Sequence, residues 1–158
     1  MDANPYLHFL WFRQVLFDHF GDFEIVGHPE MTREEALNLY MMWALKHRFL
    51  HTFGNPEPLA GIILRPVNDS QLEHIRSDWA SSFTIFDVKA ETVWIDFLHA
   101  PNNMPFIIDF VKKCGYPYVA YHNARRNGMK IMGIEHLVAI SNTQAQGPVL
   151  HPLDLSSH

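Results

Sequence analysis

The stretch TVWIDFLHAPNNMPFIIDFVKKCGYPYVAYHNARRNGMKIMGIEHL, residues 92–137, decides the fold. TVWIDFL (92–98) alternates as a half-buried strand does, and Pro101 stops it. MPFIIDFVKKC (104–114) carries apolar residues at helical spacing. Asn102 or Asn103 stands ready to cap it, Lys112 and Lys113 complement its last turn, and Gly115 supplies a left-handed stop. YVAYH (118–122) predicts the next strand, ARRNGMKIM (124–132) a short helix and IEHLVAI (134–140) a closing strand. A β-α-β-α-β succession of this kind dictates an α/β (α+β) class; the fold expected is one domain over residues 1–140, with a mixed, mostly antiparallel sheet flanked by helices.

Upstream, Asn4-Pro5 opens a helix over 5–20 whose apolar residues, Phe9, Trp11, Phe12, Leu16 and Phe20 among them, cover most of its circumference. Such a helix is deeply packed or is a surface for a partner. FEIV (23–26) predicts a short strand. Thr32 to Glu35 reads as a capping box for a second helix reaching residue 49, with Leu37, Tyr40, Met41, Ala44 and Leu45 as its buried stripe. After the turn at 55–58, LAGIILRPV (59–67) is a near-continuously apolar strand, and Ser70 to Glu73 reads as a capping box for a short helix to Trp79. FTIFDV (83–88) pairs with TVWIDFL as a hairpin. Residues 141–158 turn to Gln, Asn, Ser, Pro and Gly and read as a C-terminal tail, with Val149, Leu150, Leu153 and Leu155 available to dock.

With 158 residues the chain buries a core without needing a disulfide or a metal. Its aromatic share of 13% is high for a domain of this size, and a net charge of −5 argues against a nucleic-acid binder that works by broad phosphate neutralisation. A single cysteine, Cys114, reads as a buried structural thiol and suits a reducing, cytoplasmic compartment. The apolar N-terminus has no basic leader and carries charged residues, which fits neither a signal peptide nor a membrane span.

The segment YVAYHNARRNGMKIMGIEHL resembles the second half of the GNAT acyl-CoA N-acyltransferase superfamily, where a strand ends at an asparagine, a short helix follows and a glycine lies ten residues on; here these are Asn123 and Gly133. TVWIDFLHAP is similar to that superfamily's central strand. The glycine-poor, aromatic core is similar to degenerate members found among proteins of bacterial viruses. The resemblance implies an acyl-CoA cofactor, such as acetyl-CoA, and transfer of its acyl group to an amine. One departure is marked: where the superfamily has a glycine-rich pyrophosphate loop, this chain has HAPNNMPFIID, with no glycine and two prolines. The position of the superfamily's general-acid tyrosine falls at Lys130.

Candidate chemistry gathers in the same region. Trp94, Asp96 and Leu98 share one strand face by alternation, so Asp96 is either a carboxylate with a raised pKa suited to a general base or the satisfied partner of Arg65 or a histidine. His99, Tyr121 and His122 are alternative proton-transfer groups. On the resemblance, Asn123, Arg125, Arg126 and Lys130 would hold the cofactor, the three cations lying on one short helix; the plainer readings are a helix cap and a solvated face. His47 and His51 have the spacing of two ligands on one helix face, yet no HExxH or CxxC accompanies them, and no metal site is expected. Two functions remain open. One is acyl transfer; the other is a non-catalytic binding or assembly role on the same scaffold, through helix 5–20 and the tail, with a protein partner or a second copy.

Overall fold

The computed structural model of the chain describes residues 4–19, 32–77, 85–123 and 128–145. Five strands, β1 (Leu50–Phe53), β2 (Ala60–Val67), β3 (Thr92–His99), β4 (Tyr118–Asn123) and β5 (Gly128–Gly133), lie side by side in chain order. Every neighbouring pair is antiparallel except β3 and β4, which run parallel. Parallel neighbours need a crossover, and α4 (Met104–Lys113) supplies it. Ile63, Trp94, Phe97 and Ala120 lie on one face of the sheet. There they pack with α1 (Pro5–His19), α2 (Arg33–Lys46) and α3 (Asp69–Ser77). Ile62, Leu64, Val93, Ile95, Val119 and Tyr121 go to the other face, against α4 and α5 (Ile134–Ala145). The molecule is therefore a single α/β domain with a mixed, mostly antiparallel sheet between two helical layers, as its sequence pattern predicts.

The caps show why the helices begin where they do. Asn4 Oδ1 accepts from the backbone N–H of Tyr6 at 3.0 Å and of Leu7 at 3.3 Å. Thr32 and Glu35 form the reciprocal box expected of them. At α3 the box sits two residues earlier than Ser70 and Glu73 would place it. Asn68 Oδ1 accepts from the Gln71 N–H and Gln71 Oε1 accepts from the Asn68 N–H, both at 2.9 Å. Asn103 precedes α4 without capping it through its side chain, donating instead to the Pro101 carbonyl at 2.8 Å. Gly115, at φ 90°, provides the left-handed turn after that helix.

Three expectations are corrected. Residues 128–133 are a strand and 134–145 a helix, the reverse of the order read from ARRNGMKIM and IEHLVAI. GMKIMG finds a complete antiparallel partner in β4, from Tyr118–Gly133 to Asn123–Gly128, and that ladder outweighs a weak helical preference. Ile134 and Leu137, one turn apart, in turn seat α5 on the core formed with α4, and the helix carries five residues past 140. Second, the part of FTIFDV that is described, 85–88, is not a strand; Asp87 N–H bonds to the Pro66 carbonyl at 2.9 Å, while the edge position beside β2 belongs to β1. Third, Cys114 is exposed rather than buried, and so is Leu45. The strand expected at 23–26 and the tail beyond 145 lie outside the described residues.

Helix α1 reaches the sheet at one glycine. Phe12 is wholly buried, and a Cβ built on Gly61 would stand 2.5 Å from its ring. That absent methyl lets the aromatic ring lie directly on β2.

Candidate functional site

Strands β3 and β4 pair only from Thr92–Tyr118 to Ile95–Tyr121, although β3 continues to His99 and β4 to Asn123. Beyond that point each strand keeps its other neighbour, β3 with β2 and β4 with β5, so the two parallel strands diverge at their C-terminal ends. The divergence begins at a bulge. Ile63 faces Phe97 and Leu64 faces Ile95, which leaves Asp96 as an extra residue with no partner on β2. The bulge also resets the alternation: Asp96 and Phe97 both turn toward α2, and Leu98 returns to the α4 side. Leu98 therefore does not share the face of Trp94 and Asp96, as simple alternation predicts.

Asp96 sits in a buried polar cluster. Its Oδ1 accepts from Arg65 Nε and pairs with Nη2, each at 3.1 Å, and both side chains are fully buried. Arg65 Nη1 donates to the Ile85 carbonyl at 2.8 Å, so the same guanidinium ties the chain entering 85–91 to the sheet. Burial pushes the Asp96 carboxyl above its ordinary value of 3.8, and the Arg65 guanidinium opposes that rise. Tyr40 of α2 is held well above 10.0, chiefly by burial and then by the negative Asp96. The Tyr40 hydroxyl and the Trp94 indole favour the charged carboxylate. Neither the second carboxylate oxygen nor the indole N–H, however, has a hydrogen bond of good geometry among the described residues.

The structure distributes the remaining candidates over both faces. His99 ends β3 on the α1 side, its ring 5.8 Å from Trp11. His122 is exposed near the end of β4 and alternates to that same side. Tyr121 is buried on the opposite face among the α4–α5 core, and Lys130 faces it across the β4–β5 ladder. Asp96, His99 and His122 thus share one face, and Tyr121 with Lys130 the other. Asn123 closes β4 opposite Gly128. Arg125 and Arg126 lie outside the described residues, and the single helix expected to carry them with Lys130 is replaced at Lys130 by β5.

His47 and His51 do not share a helix face. His47 stacks on Phe49 and meets Phe86 on the α2 side, whereas His51 lies against Phe110 of α4. Among the described residues no three His, Cys, Asp or Glu side chains gather in a metal-binding group. The first turn of α4, where the resemblance would seat a pyrophosphate, has Pro105 in place of one N–H donor and an exposed Phe106.

Two features escaped the sequence reading. Arg65 appears there only as a partner for Asp96; its hold on the segment at Ile85 depends on a fold that no local pattern announces. His8, inside an apolar helix, bridges α1 to β1 and the following loop, Nδ1 to Thr52 Oγ1 at 2.9 Å and Nε2 to the Pro56 carbonyl at 3.1 Å. A carbonyl only accepts, so Nε2 bears a proton and donates to it. The one available signal was a histidine at 8 in register with Phe12 and Leu16, four and eight residues on.

Among the described residues no helix is long and apolar enough to cross a membrane. No family model, no curated protein and no solved structure matches this chain.

Proposed function

We propose that the chain binds an acyl-CoA thioester between the diverging ends of β3 and β4 and passes the acyl group to an amine. The observation that supports this is the divergence itself: a parallel pair released after four residues by a bulge at Asp96. It leaves backbone N–H groups of two strands facing a gap at their carboxyl ends, where open parallel strands commonly receive ligands. Donors there would polarise a thioester carbonyl as negative charge develops on its oxygen. His122, exposed near the end of β4, is the group suited to take the proton from the amine, because Asp96 is engaged by Arg65; as the C–N bond forms the thioester C–S bond breaks, and the imidazolium returns that proton to the departing CoA sulfur. Asn123, Arg125, Arg126 and Lys130 would hold the cofactor's amide and phosphate groups, as the resemblance to the acyltransferases implies.

Calorimetric titration with acetyl-CoA and with desulfo-CoA tests the reading. Micromolar binding that weakens in Arg125→Ala/Arg126→Ala, with turnover lost in His122→Ala, is the expected result. No heat at millimolar ligand overturns it. A second reading, a non-catalytic binding or assembly protein, is favoured by one observation: the candidate proton-transfer groups are divided between two sheet faces, and the one buried carboxylate among them is neutralised by Arg65.

A further inference from the structure

Helix α2 buries Ala36, Leu37, Tyr40, Met41 and Ala44 against the sheet and α1. Its opposite side is not the charged stripe that a solvated helix presents. Glu35, Leu39, Met42 and Lys46 stand at i, i+4, i+7 and i+11 along one exposed line, with Leu39 48% and Met42 61% exposed. Leu45, 53% exposed, flanks the line. On α1, which is held to α2 by Arg13 through Glu34 and Asn38 at 2.6 Å each, Tyr6 and Leu10 are exposed as well. Leu39, Met42 and Leu45 thus give the outward side of α2 an apolar centre.

The order of residues along the line specifies the occupant. Glu, Leu, Met, Lys reads as its own complement when the helix is laid antiparallel on a copy of itself. A two-fold axis midway between positions 39 and 42 sets Leu39 opposite Met42 of the other copy, and Glu35 opposite its Lys46. The acidic first turn, Glu34 and Glu35, then faces the basic last turn across the axis, which also matches the two helix dipoles. An interface across a two-fold must be self-complementary in this way, residue i meeting residue j and j meeting i.

We propose that the exposed face of α2 is a homodimer interface, in which two copies pack antiparallel about the Leu39–Met42 midpoint with Glu35–Lys46 pairs at both ends. The proposal does not depend on whether the chain transfers acyl groups.

Light scattering over a concentration series, together with cysteine cross-linking, tests it. The full-length chain is expected to show twice its chain mass at high concentration and to dissociate on dilution. Met42→Asp should shift the midpoint at least tenfold toward monomer, and Lys46→Glu, which sets like charges opposite each other, should do so more strongly at low salt than at high. In a Cys114→Ser background, Leu39→Cys and Met42→Cys chains should form a disulfide with each other when mixed, far more than either does with itself. A monomer at every concentration overturns the proposal. So does a dimer indifferent to Met42→Asp, or one whose cross-links ignore the 39–42 register. A monomer in which deletion of residues 146–158 exposes position 42 to labelling also overturns it, by assigning the face to the chain's own C-terminal segment. Retained circular dichroism in each variant separates lost pairing from lost folding.

Discussion

Arg65 and Asp96 are both fully removed from water, and either one alone would be an unpaired charge in the interior. Arg65→Met is expected to lower unfolding stability by about 3–5 kcal/mol, as does breaking a buried pair from one side. Arg65→Met/Asp96→Leu should recover most of that loss, because it removes the stranded charge; urea denaturation of the two single variants and the double variant measures the coupling, and simple additivity would contradict it. The pH dependence has a definite sign. The folded carboxyl titrates above its ordinary value of 3.8, so between 3.8 and its raised value the folded state binds more protons than the unfolded one. Stability from this group is therefore greatest below 3.8 and declines as pH rises through that window. Asp96→Asn should abolish that decline. Arg65→Met, which removes the opposing cation, should extend it to higher pH.

At the scale of elements, the contact of α1 with β2 turns on one missing methyl group. Gly61→Ala puts a Cβ into the Phe12 ring, and the expected cost is about 1–3 kcal/mol of overpacking. Phe12→Leu in the Gly61→Ala background should be less unstable than the sum of the two single changes, measured by thermal unfolding; strict additivity would mean that the ring does not lie on β2. The elements whose signals are local were legible from the chain: the Asn4 and Thr32 caps, the stop at Gly115, and the strands at 59–67, 92–98 and 118–122. Those whose state depends on a distant partner were not. GMKIMG and IEHLVAI are short apolar runs without a decisive period, and pairing with β4 and packing on α4 decide between strand and helix. For the candidate site, alternation put Asp96 on the face of Trp94 and left it open as a general base or as the partner of Arg65 or a histidine; the structure pairs it with Arg65. The bulge that turns Asp96 and Phe97 to one face has no local mark, since it exists only in the register between β2 and β3.

At the scale of the whole molecule, the sheet is shared by two cores that, among the described residues, have no other large contact. The α1–α2 core closes on Ile63 and Phe97, the α4–α5 core on Ile62 and Ile95, and these side chains come from the same two strands, by alternation on β2 and across the Asp96 bulge on β3. A strand cannot leave one core while staying ordered in the other without losing its ladder, so the two layers should unfold together. Of the four tryptophans, 11, 43 and 94 lie on the α1–α3 side, while Trp79 lies outside the described residues, so in a Trp79→Phe background the fluorescence reports that layer. Amide exchange in α4 and α5 reports the opposite one. The two denaturation curves are expected to overlay at one urea midpoint, and Leu16→Ala in one layer should move both by the same amount, about 2–5 kcal/mol toward instability. If amide protection in α4 and α5 survived the loss of the tryptophan signal, β3–β5 with their two helices would be a separate folding unit. The divergence of β3 from β4 would then mark the seam between two units rather than a cleft within one.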